Sequence, residues 1–356
     1  MDTGRVLVAM SGGVDSSVSA LLLQQAGYEC VGATMRLYDG IRIDCAQPTC
    51  CSLDDMEDAR QVAARLGMRF EVLDFRDAFD TQVIGRFVDE YARGRTPNPC
   101  ILCNRHLKFD RLLRTAREMG CDYLATGHYA RVERDADGAF HLRCGIDPKK
   151  DQSYVLYTLG QRELAHLLLP LGGLSKMDVR RIAEENGLVN ARKHESQDIC
   201  FVPDGDYAAF LEREGVESAP GDFVDGEGRV VGRHRGIVHY TIGQRKGLGI
   251  AMGYPAYVTS IDAAENTVAI GPLEALASTE FSVEDTVWTS GVVPAEPVEA
   301  EVRIHYHAHR VPVSIHAQSP DCARIKVQGE LRAVAPGQAA VFYQGAEVIG
   351  GGTIVR

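Results

Sequence analysis

The first half of the chain alternates short apolar runs with stretches in which apolar residues recur at helical spacing. Runs of strand length occupy residues 5–10, 30–35, 70–74 and 123–126. Helical spacing covers residues 14–26 and 53–66, and each of these helices is stopped by a glycine, Gly27 or Gly67. This order of strands and helices predicts an α/β fold with a parallel, doubly wound sheet that binds ligands at the carboxyl ends of its strands.

The pattern changes after about residue 203. Between Pro220 and Pro255, glycines recur among short β-prone runs at 230–231 and 237–242, which is typical of a small β-containing module. From about Phe281 onward, β-prone runs alternate with turn residues, as in a compact β-barrel. We therefore expect a catalytic domain over residues 1–203, a central domain over 204–278 and a barrel over 279–356.

Composition narrows the class of protein. The chain has 356 residues, of which 45% are hydrophobic and 24% are charged, as in a soluble globular protein. No apolar run of membrane-spanning length occurs, and the amino terminus leads directly into a strand, so we expect a cytoplasmic protein without a membrane partner. The net charge of −11 argues against non-specific binding of nucleic acid but leaves room for a local basic face.

A glycine loop follows the first predicted strand, with the sequence Ser11-Gly-Gly-Val-Asp-Ser16. Glycines let backbone N–H groups approach a polyphosphate, serines add donors, and the helix that follows points its amino terminus at the anion. Asp15 would repel phosphate without a cation, which implies Mg²⁺. The alternative is a plain glycine turn with a serine cap. A Walker loop is excluded, because no Gly-Lys-Ser/Thr follows.

Ten cysteines in a chain without a leader indicate thiols rather than a disulfide framework. Cys100 and Cys103 follow two prolines, and Cys103 is predicted at or just before a helix amino terminus, where the dipole favours a thiolate. Cys200 lies about a hundred positions later. A structural zinc site would need a fourth ligand, and a purely structural trio is the other alternative. Cys45, Cys50 and Cys51 form a second group, either a sulfur relay, a metal site or ordinary loop thiols.

The ordered motifs closely resemble those of the tRNA-specific 2-thiouridylases, within the N-type ATP pyrophosphatase superfamily. The matching stretches run from Val8 to Gly352 and are 9–16, 97–99 with 103–104, 108–109, 125–129, 150–154, 196–201, 240–246 and 350–352. The resemblance implies an adenine nucleotide alpha hydrolase-like fold for the first domain. It also implies 2-thiolation of the wobble uridine in glutamate, lysine and glutamine tRNAs, with ATP adenylating the C2 carbonyl oxygen of a flipped-out base.

The resemblance further implies roles for individual residues. ATP would contact Ala9, Met10, Ser11, Gly12, Gly13, Val14, Asp15, Ser16, Met35 and Gly127. The pocket for the target base would be lined by Asn98, Pro99 and Cys100. The tRNA would contact His128, Lys150, Asp151, Gln152, His305, Tyr306 and Gln338. For His128 a structural role is the alternative, and for Asp151 it is helix capping, which is compatible with tRNA contact.

The resemblance also implies that the cysteines carry out the transfer of sulfur to the base. Cys200 would carry a persulfide supplied by a donor protein, such as a cysteine desulfurase or a relay protein, and Cys103 would free the terminal sulfur by closing a transient Cys103–Cys200 disulfide. Many relatives have Asp where this chain has Cys100. With a cysteine at position 100, Cys100, Cys103 and Cys200 could instead hold three irons of a [4Fe–4S] cluster, which leaves the fourth iron open for a sulfide. Relatives also often carry Arg where this chain has His305.

Basic clusters are spread along all three regions, which suits a partner as long as a tRNA arm, although each cluster alone is more typical of an ordinary solvated surface. They lie at 149–150, 192–194, 233–235, 245–246 and 303–310. Two other functions compete with thiolation at uridine. One is a different adenylating enzyme, such as another tRNA thiolase or an amidotransferase-type synthetase. The other is a tRNA-binding sulfur carrier without catalysis, which intact Asp15, Cys103 and Cys200 disfavour.

Overall fold

A computed structural model describes residues 3–38, 53–193 and 199–355 of the chain. The second cysteine group, Cys45, Cys50 and Cys51, lies outside the described residues. The helices are α1 (Val14–Gln25), α2 (Leu53–Arg65), α3 (Arg76–Phe79), α4 (Gly85–Ala92), α5 (Pro99–Leu102), α6 (Leu113–Glu118), α7 (Gln161–Leu164), α8 (Lys176–Glu185) and α9 (Tyr207–Arg213). Turns of π-helix, Asp80–Ile84 and Cys103–Leu112, make α3 continuous with α4 and α5 with α6.

Strands β1 to β7 belong to the first two hundred residues, and β8 to β17 follow. They are β1 (Arg5–Ala9), β2 (Glu29–Arg36), β3 (Arg69–Asp74), β4 (Tyr123–Ala125), β5 (Ala130–Arg134), β6 (Phe140–Cys144), β7 (Leu167–Leu168), β8 (Gly221–Val224), β9 (Val230–His234), β10 (Tyr257–Asp262), β11 (Thr267–Gly271), β12 (Ala277–Trp288), β13 (Val298–Arg303), β14 (Val311–Ser319), β15 (Cys322–Arg332), β16 (Ala339–Gln344) and β17 (Glu347–Val355).

The first sheet confirms the predicted α/β fold. Its five strands lie in the order β3-β2-β1-β4-β7, and every neighbouring pair is parallel. The chain moves outward from β1 to β3 on one side and then returns to place β4 on the other side of β1. The carboxyl ends of β1 and β4 therefore form the topological switch point, where open α/β sheets bind ligands. Val6, Leu7 and Val8 are completely buried and fix β1 in the middle of the core.

The central module is a four-stranded sheet in the order β10-β11-β8-β9, packed around a small core that includes Phe223, Tyr240 and Val258. The prediction of β structure over 237–242 is wrong in part, because Ile237–His239 is a turn of 3₁₀ helix. The turn follows a bend in which the Gly236 N–H donates to His234 Nδ1 at 3.0 Å. The local bend overrides the β preference of the apolar residues.

The last strands close into the predicted barrel. They follow the order β12-β15-β14-β13-β16-β17, and β12 pairs again with β17 to complete the ring. The hairpin of β5 and β6, which precedes the central module in the chain, joins the same sheet because β6 pairs with β17 at Leu142 and Val348. The barrel is thus attached to the catalytic domain by backbone hydrogen bonds. Among the described residues, no helix is both long and apolar enough to cross a membrane.

Candidate active site

The glycine loop lies at the switch point, between the end of β1 and the start of α1. Gly12 has φ +73, and a Cβ there would lie 2.2 Å from the carbonyl oxygen of Asp55, so the loop packs directly on the first turn of α2. The first intrahelical backbone bond joins Ser17 N to Gly13 O at 3.3 Å. The amides of residues 14–16 therefore lie before the helical hydrogen-bond ladder, where a helix amino terminus binds anions.

Hydrogen bonds within the loop fix its shape. The Ser11 N–H donates to Ser16 Oγ at 3.2 Å, and the Ser16 hydroxyl donates to Gly13 O at 3.1 Å. Buried Asn190 closes the loop from outside by donating to Gly12 O at 2.9 Å and to Ser17 Oγ at 2.8 Å. Two of the predicted donors, Ser11 and Ser16, thus also shape the loop that presents the amides. Sequence reasoning missed Asn190, which no local motif marks.

Gly127 and Met35 complete the predicted nucleotide set around the loop. A Cβ on Gly127 would lie 2.9 Å from Ser16 N, so the end of β4 touches the first turn of α1 and only glycine fits there. Met35 is buried near the end of β2, the neighbour of β1. The structure therefore brings the predicted ATP residues together at one edge of the parallel sheet.

The carboxylate of Asp15 is held by two residues from distant segments. Lys176 Nζ lies 2.7 and 2.8 Å from the two oxygens of Asp15, and the Tyr129 hydroxyl donates to Oδ1 at 2.7 Å. Lys176 begins α8, whose amino terminus is formed by a Ser175–Asp178 capping box. The capping box predicts a helix start from the sequence, but it does not predict that the side chain of Lys176 contacts Asp15. Lys176 supplies positive charge beside Asp15 that sequence reasoning assigned to Mg²⁺ alone.

His128 follows Gly127 and lies inside the protein. Its side chain is buried, its Nδ1 lies 2.7 Å from the Thr126 hydroxyl, and its ring packs 5.8 Å from the ring of Phe109. Burial, assisted by the charge of Lys108, holds the pKa of His128 well below 6.5, so the imidazole is neutral near pH 7. The contact between His128 and tRNA stays a prediction, and the observed partners are those of a structural histidine.

The cysteine helix begins earlier than the sequence analysis placed it. Asn98 is the N-cap and accepts from the Cys100 N–H at 3.1 Å, while Pro99 occupies the first helical position. Cys100 therefore lies in the first turn, and Cys103 lies one turn further, at the start of the π-helical segment. The prediction that Cys103 marks the helix start is wrong, because Asn-Pro is a capping signal here rather than extended loop.

The π-helical segment after Cys103 is fastened from inside. Asn104 is buried and donates from Nδ2 to the carbonyl of Val155 at 2.9 Å, which ties the segment to a 3₁₀ turn, Ser153–Leu156. Most π-helix occurs as single turns, frequently at functional sites, so a run of ten residues is unusual. The wider turn and the Asn104 bond together fix the direction of the helix that carries Cys100 and Cys103.

The three cysteines differ in exposure. Cys100 is exposed, whereas Cys103 and Cys200 are half-buried and pack against the same hydrophobic core. The described residues, which include all three, contain no group of three His, Cys, Asp or Glu side chains arranged to hold a metal ion. A [4Fe–4S] cluster on Cys100, Cys103 and Cys200 stays a prediction.

The predicted tRNA residues Asp151 and Gln152 make intramolecular contacts. Asp151 is buried, and its carboxylate accepts from Gly145 N at 3.0 Å, Ser153 N at 3.2 Å and the Ser153 hydroxyl at 2.9 Å. Asp151 therefore binds the first residue of the 3₁₀ turn, although the N-cap position itself belongs to Gln152, and its contact with tRNA stays a prediction. Gln152 Oε1 accepts from Tyr129 N at 3.0 Å. Lys150, next to them, is half-buried.

The barrel reaches the same region through Tyr306 and the loop before β16. The Tyr306 hydroxyl donates to the Asp151 carbonyl at 3.1 Å, and burial, assisted by nearby Asp151 and Cys100, raises the pKa of Tyr306. The loop that includes Gln338 touches the segment before Asn98, where Thr96 N donates to Pro336 O at 2.8 Å. His305 is exposed beside Tyr306. The structure therefore gathers the predicted base-pocket residues, segment 151–152 and the barrel residue Tyr306.

The comparisons with known proteins cover nearly the whole chain. The sequence matches, in succession, the family models described as tRNA methyl transferase HUP domain over residues 4–204, tRNA methyl transferase PRC-barrel domain over 208–272, and aminomethyltransferase beta-barrel domain over 278–354.

Curated relatives match at high identity. The tRNA-specific 2-thiouridylase MnmA of Geobacter metallireducens is 49% identical over 355 residues, which cover 98% of this chain and 96% of that protein. The protein of the same name from Carboxydothermus hydrogenoformans is 50% identical over 359 residues, covering 99% and 98%. That from Chloroflexus aggregans is 48% identical over 352 residues, again covering 99% and 98%. The likeness therefore extends well beyond the glycine loop.

Proposed function

Because the chain belongs to the tRNA-specific 2-thiouridylase family, we propose that it uses ATP to replace the C2 oxygen of a tRNA uridine by sulfur. The observation that carries the proposal is a match of about half of all residues along the entire length of curated relatives that bear this name. The geometry supports it, because a loop suited to a nucleotide and a helix bearing two cysteines lie in one catalytic domain. The substrates are the wobble uridines of glutamate, lysine and glutamine tRNAs.

The first step is adenylation of the uridine. The amides of residues 14–16 and the hydroxyl of Ser11 bind the phosphates of ATP, the hydroxyl of Ser16 holds the loop that presents these amides, and Ala9, Met35 and Gly127 border the rest of the nucleotide. The C2 oxygen of the base attacks the α-phosphorus, pyrophosphate leaves with the broken bond's electrons, and AMP remains on the oxygen. Lys176 stands beside Asp15, where it offsets negative charge.

Mg²⁺ suits the oxygen ligands of this loop. The residue that would hold the ion is Asp15, together with the phosphates, as Mg²⁺ is commonly bound by one or two carboxylates and the substrate. When bound, the ion neutralises charge on the polyphosphate. The two oxygens of Asp15 already contact Lys176 and Tyr129, so the carboxylate is oriented before any ion arrives.

The second step transfers sulfur. A donor protein loads Cys200 as a persulfide, whose terminal sulfur attacks C2 of the adenylated base. Cys103 then attacks the inner sulfur of Cys200, so that a Cys103–Cys200 disulfide forms, the terminal sulfur stays on the base and AMP leaves. An external dithiol then reduces this disulfide by thiol–disulfide exchange and is itself oxidised to a disulfide before the next turnover. The target base leaves its stack and enters the pocket lined by Asn98, Pro99 and Cys100, while Lys150, Gln152, His305, Tyr306 and Gln338 approach the tRNA.

A reconstituted reaction tests the proposal. The protein is incubated with ATP, Mg²⁺, a persulfide donor and unmodified glutamate tRNA, and both 2-thiouridine and pyrophosphate are measured. We expect them in equal amounts. Pyrophosphate release without thiolation of any tRNA would leave an adenylating enzyme with a different substrate and would overturn the specific assignment. Anaerobic analysis of iron and acid-labile sulfide separates the persulfide route from a cluster, since protein that is active without either needs no cluster.

A further inference from the structure

Tyr129 joins the nucleotide loop to the segment proposed to meet tRNA. Its side chain is buried, and its hydroxyl donates to Asp15 Oδ1 at 2.7 Å. Lys176 Nζ contacts both oxygens of the same carboxylate and lies 5.7 Å from the centre of the Tyr129 ring. Lys176 thus supplies charge to Asp15, whereas the short, directional bond from Tyr129 fixes the orientation of one of its oxygens.

The backbone of Tyr129 faces the other way. Its N–H donates to the side-chain oxygen of Gln152 at 3.0 Å, and its carbonyl accepts from the Gln152 N–H at 2.9 Å. These two bonds hold Gln152 against Tyr129 on both sides. Segment 150–152 therefore cannot shift relative to the nucleotide loop without breaking bonds to Tyr129.

The connection continues into the barrel. The residue before Gln152 is Asp151, whose carbonyl accepts from Tyr306 of the barrel and whose carboxylate lies 3.8 Å from Arg303 Nη1. On its other side Tyr129 leads directly into β5, the hairpin strand whose partner β6 pairs with β17 of the barrel. A chain of hydrogen bonds thus runs from Asp15 through Tyr129 and segment 151–152 to the barrel.

We propose that Tyr129 is a positioning residue that couples tRNA binding to nucleotide binding through its hydroxyl bond to Asp15. The inference rests on the proposed function, because it takes segment 150–152 and Tyr306 to be part of the tRNA-binding face. When tRNA seats this segment, the Gln152 bonds hold Tyr129 in place and Asp15 is kept in its nucleotide-binding orientation. By linkage, bound nucleotide strengthens tRNA binding by the same factor.

Tyr129→Phe isolates this bond, since it removes the hydroxyl and keeps the ring under Lys176. The dissociation constant of Mg-ATP is measured with and without saturating tRNA that cannot react because its wobble uridine is already thiolated. For the natural protein we expect tRNA to tighten ATP binding by about fivefold or more, and for Tyr129→Phe we expect less than about twofold. A merely structural hydroxyl would weaken ATP binding equally in both conditions and leave the ratio unchanged.

Tyr157→Phe is the matched control, because Tyr157 is a buried tyrosine whose hydroxyl bonds Thr353 instead of the nucleotide loop. It should keep the coupling of the natural protein. Gln152→Ala provides a second route if Tyr129→Phe folds poorly, since it removes the acceptor for Tyr129 N and leaves the hydroxyl intact. Gln152→Ala alone should also lower the coupling below about twofold. Where Tyr129→Phe folds, the losses of coupling in the double variant should not add.

The outcomes separate this inference from the proposed function. A protein that thiolates tRNA but shows no coupling, or keeps its coupling in Tyr129→Phe, overturns the role of Tyr129 alone. A protein that fails to thiolate any tRNA overturns the proposed function, on which the inference depends.

Discussion

The nucleotide loop and the cysteine-bearing face of the site are built in different ways. The loop takes its shape from bonds within one short stretch, such as those joining Ser11, Gly13 and Ser16. The cysteine face is assembled from the start of α5, segment 151–152 and the barrel, and the bond between Tyr306 and Asp151 spans 155 positions. The first region depends mainly on local sequence, with Asn190 closing it from outside, whereas the second depends on how the barrel is attached.

This difference predicts that the two steps of the reaction can be separated by mutation. Damage to the loop should stop nucleotide chemistry, and damage to the cysteines should spare it. Damage to the barrel contact should weaken tRNA binding without changing the affinity of the free protein for ATP. The four changes below run from the largest expected effect to the smallest.

Substitution of the cysteines should separate adenylation from sulfur transfer most clearly. Cys103→Ser and Cys200→Ser should each lower thiolation at least about 1,000-fold while ATP–pyrophosphate exchange with tRNA persists, because serine cannot take part in persulfide chemistry. Both activities are measured on the same preparation. Cys322→Ser, in a half-buried thiol of the barrel, is the control and should keep both activities. Loss of exchange in Cys103→Ser and Cys200→Ser would indicate that these cysteines are structural.

Gly12→Ala should impair the nucleotide step and largely spare tRNA binding. The new methyl group would press on the carbonyl of Asp55 and displace the loop, so exchange should fall by at least about 100-fold, as expected for a misplaced catalytic group. Binding of tRNA, measured by filter retention, should change less than about twofold. Gly67→Ala is matched, since Gly67 also has positive φ (+64) but meets nothing within 4 Å. An equal loss in Gly67→Ala would point to general destabilisation.

The loop half of the site was predictable because its information is local. The strand, the glycines and the helix of residues 5–25 are adjacent in the chain, and their pattern predicts both the turn and its place at the switch point. The contact of Lys176 with Asp15 was not predictable, because the two residues lie 161 positions apart. The sequence around Lys176 indicates only an ordinary capped helix. The resemblance to a family supplied roles for residues but not the contacts between them.

The cysteine-bearing face was likewise only partly predictable, because its contacts join distant parts of the chain. Two prolines so close together predict an extended loop, which places the start of α5 too late, whereas Asn98 and Pro99 form a helix cap. The hairpin of β5 and β6 gives no sequence sign that it joins the barrel sheet, because strand partners as distant in the chain as Leu142 and Val348 are set by tertiary packing. Three-dimensional contacts of this kind decide where Asp151, Tyr306 and Cys100 meet.

Tyr306→Phe tests the contact between the barrel and segment 151–152, and its expected effect is smaller. It removes one hydrogen bond to the Asp151 carbonyl, worth about 1 kcal/mol, so tRNA affinity should fall by about fivefold. The affinity for ATP in the absence of tRNA should stay the same. Tyr254→Phe, on an exposed tyrosine of the central module, should change neither constant. Weaker ATP binding in Tyr306→Phe without tRNA would show that the two regions are not independent in the free protein.

The smallest effect should come from pH at the hairpin that joins the barrel. His141 of β6 lies 2.7 Å from Glu347 of β17 and 3.1 Å from Asp135, and hydrogen bonding to Glu347, then to Asp135, raises the pKa of His141 above 6.5. The charged imidazole therefore stabilises the folded state fully below pH 6.5, and this contribution is lost as pH rises through the raised pKa.

The charged contact of His141 should be worth less than about 1 kcal/mol, since the pair is partly exposed. His141→Gln should thus lower the Tm by about 1 °C at pH 6 and by less at pH 8, as read by thermal unfolding. His234 gives the opposite dependence, because burial lowers its pKa and the folded state loses stability as pH falls below 6.5. The comparison is therefore made between His141→Gln and the natural protein at each pH, where the His234 contribution cancels. In a Glu347→Gln background most of the pH-dependent difference should vanish, and a difference that persists unchanged would show that Glu347 is not the partner that stabilises this attachment.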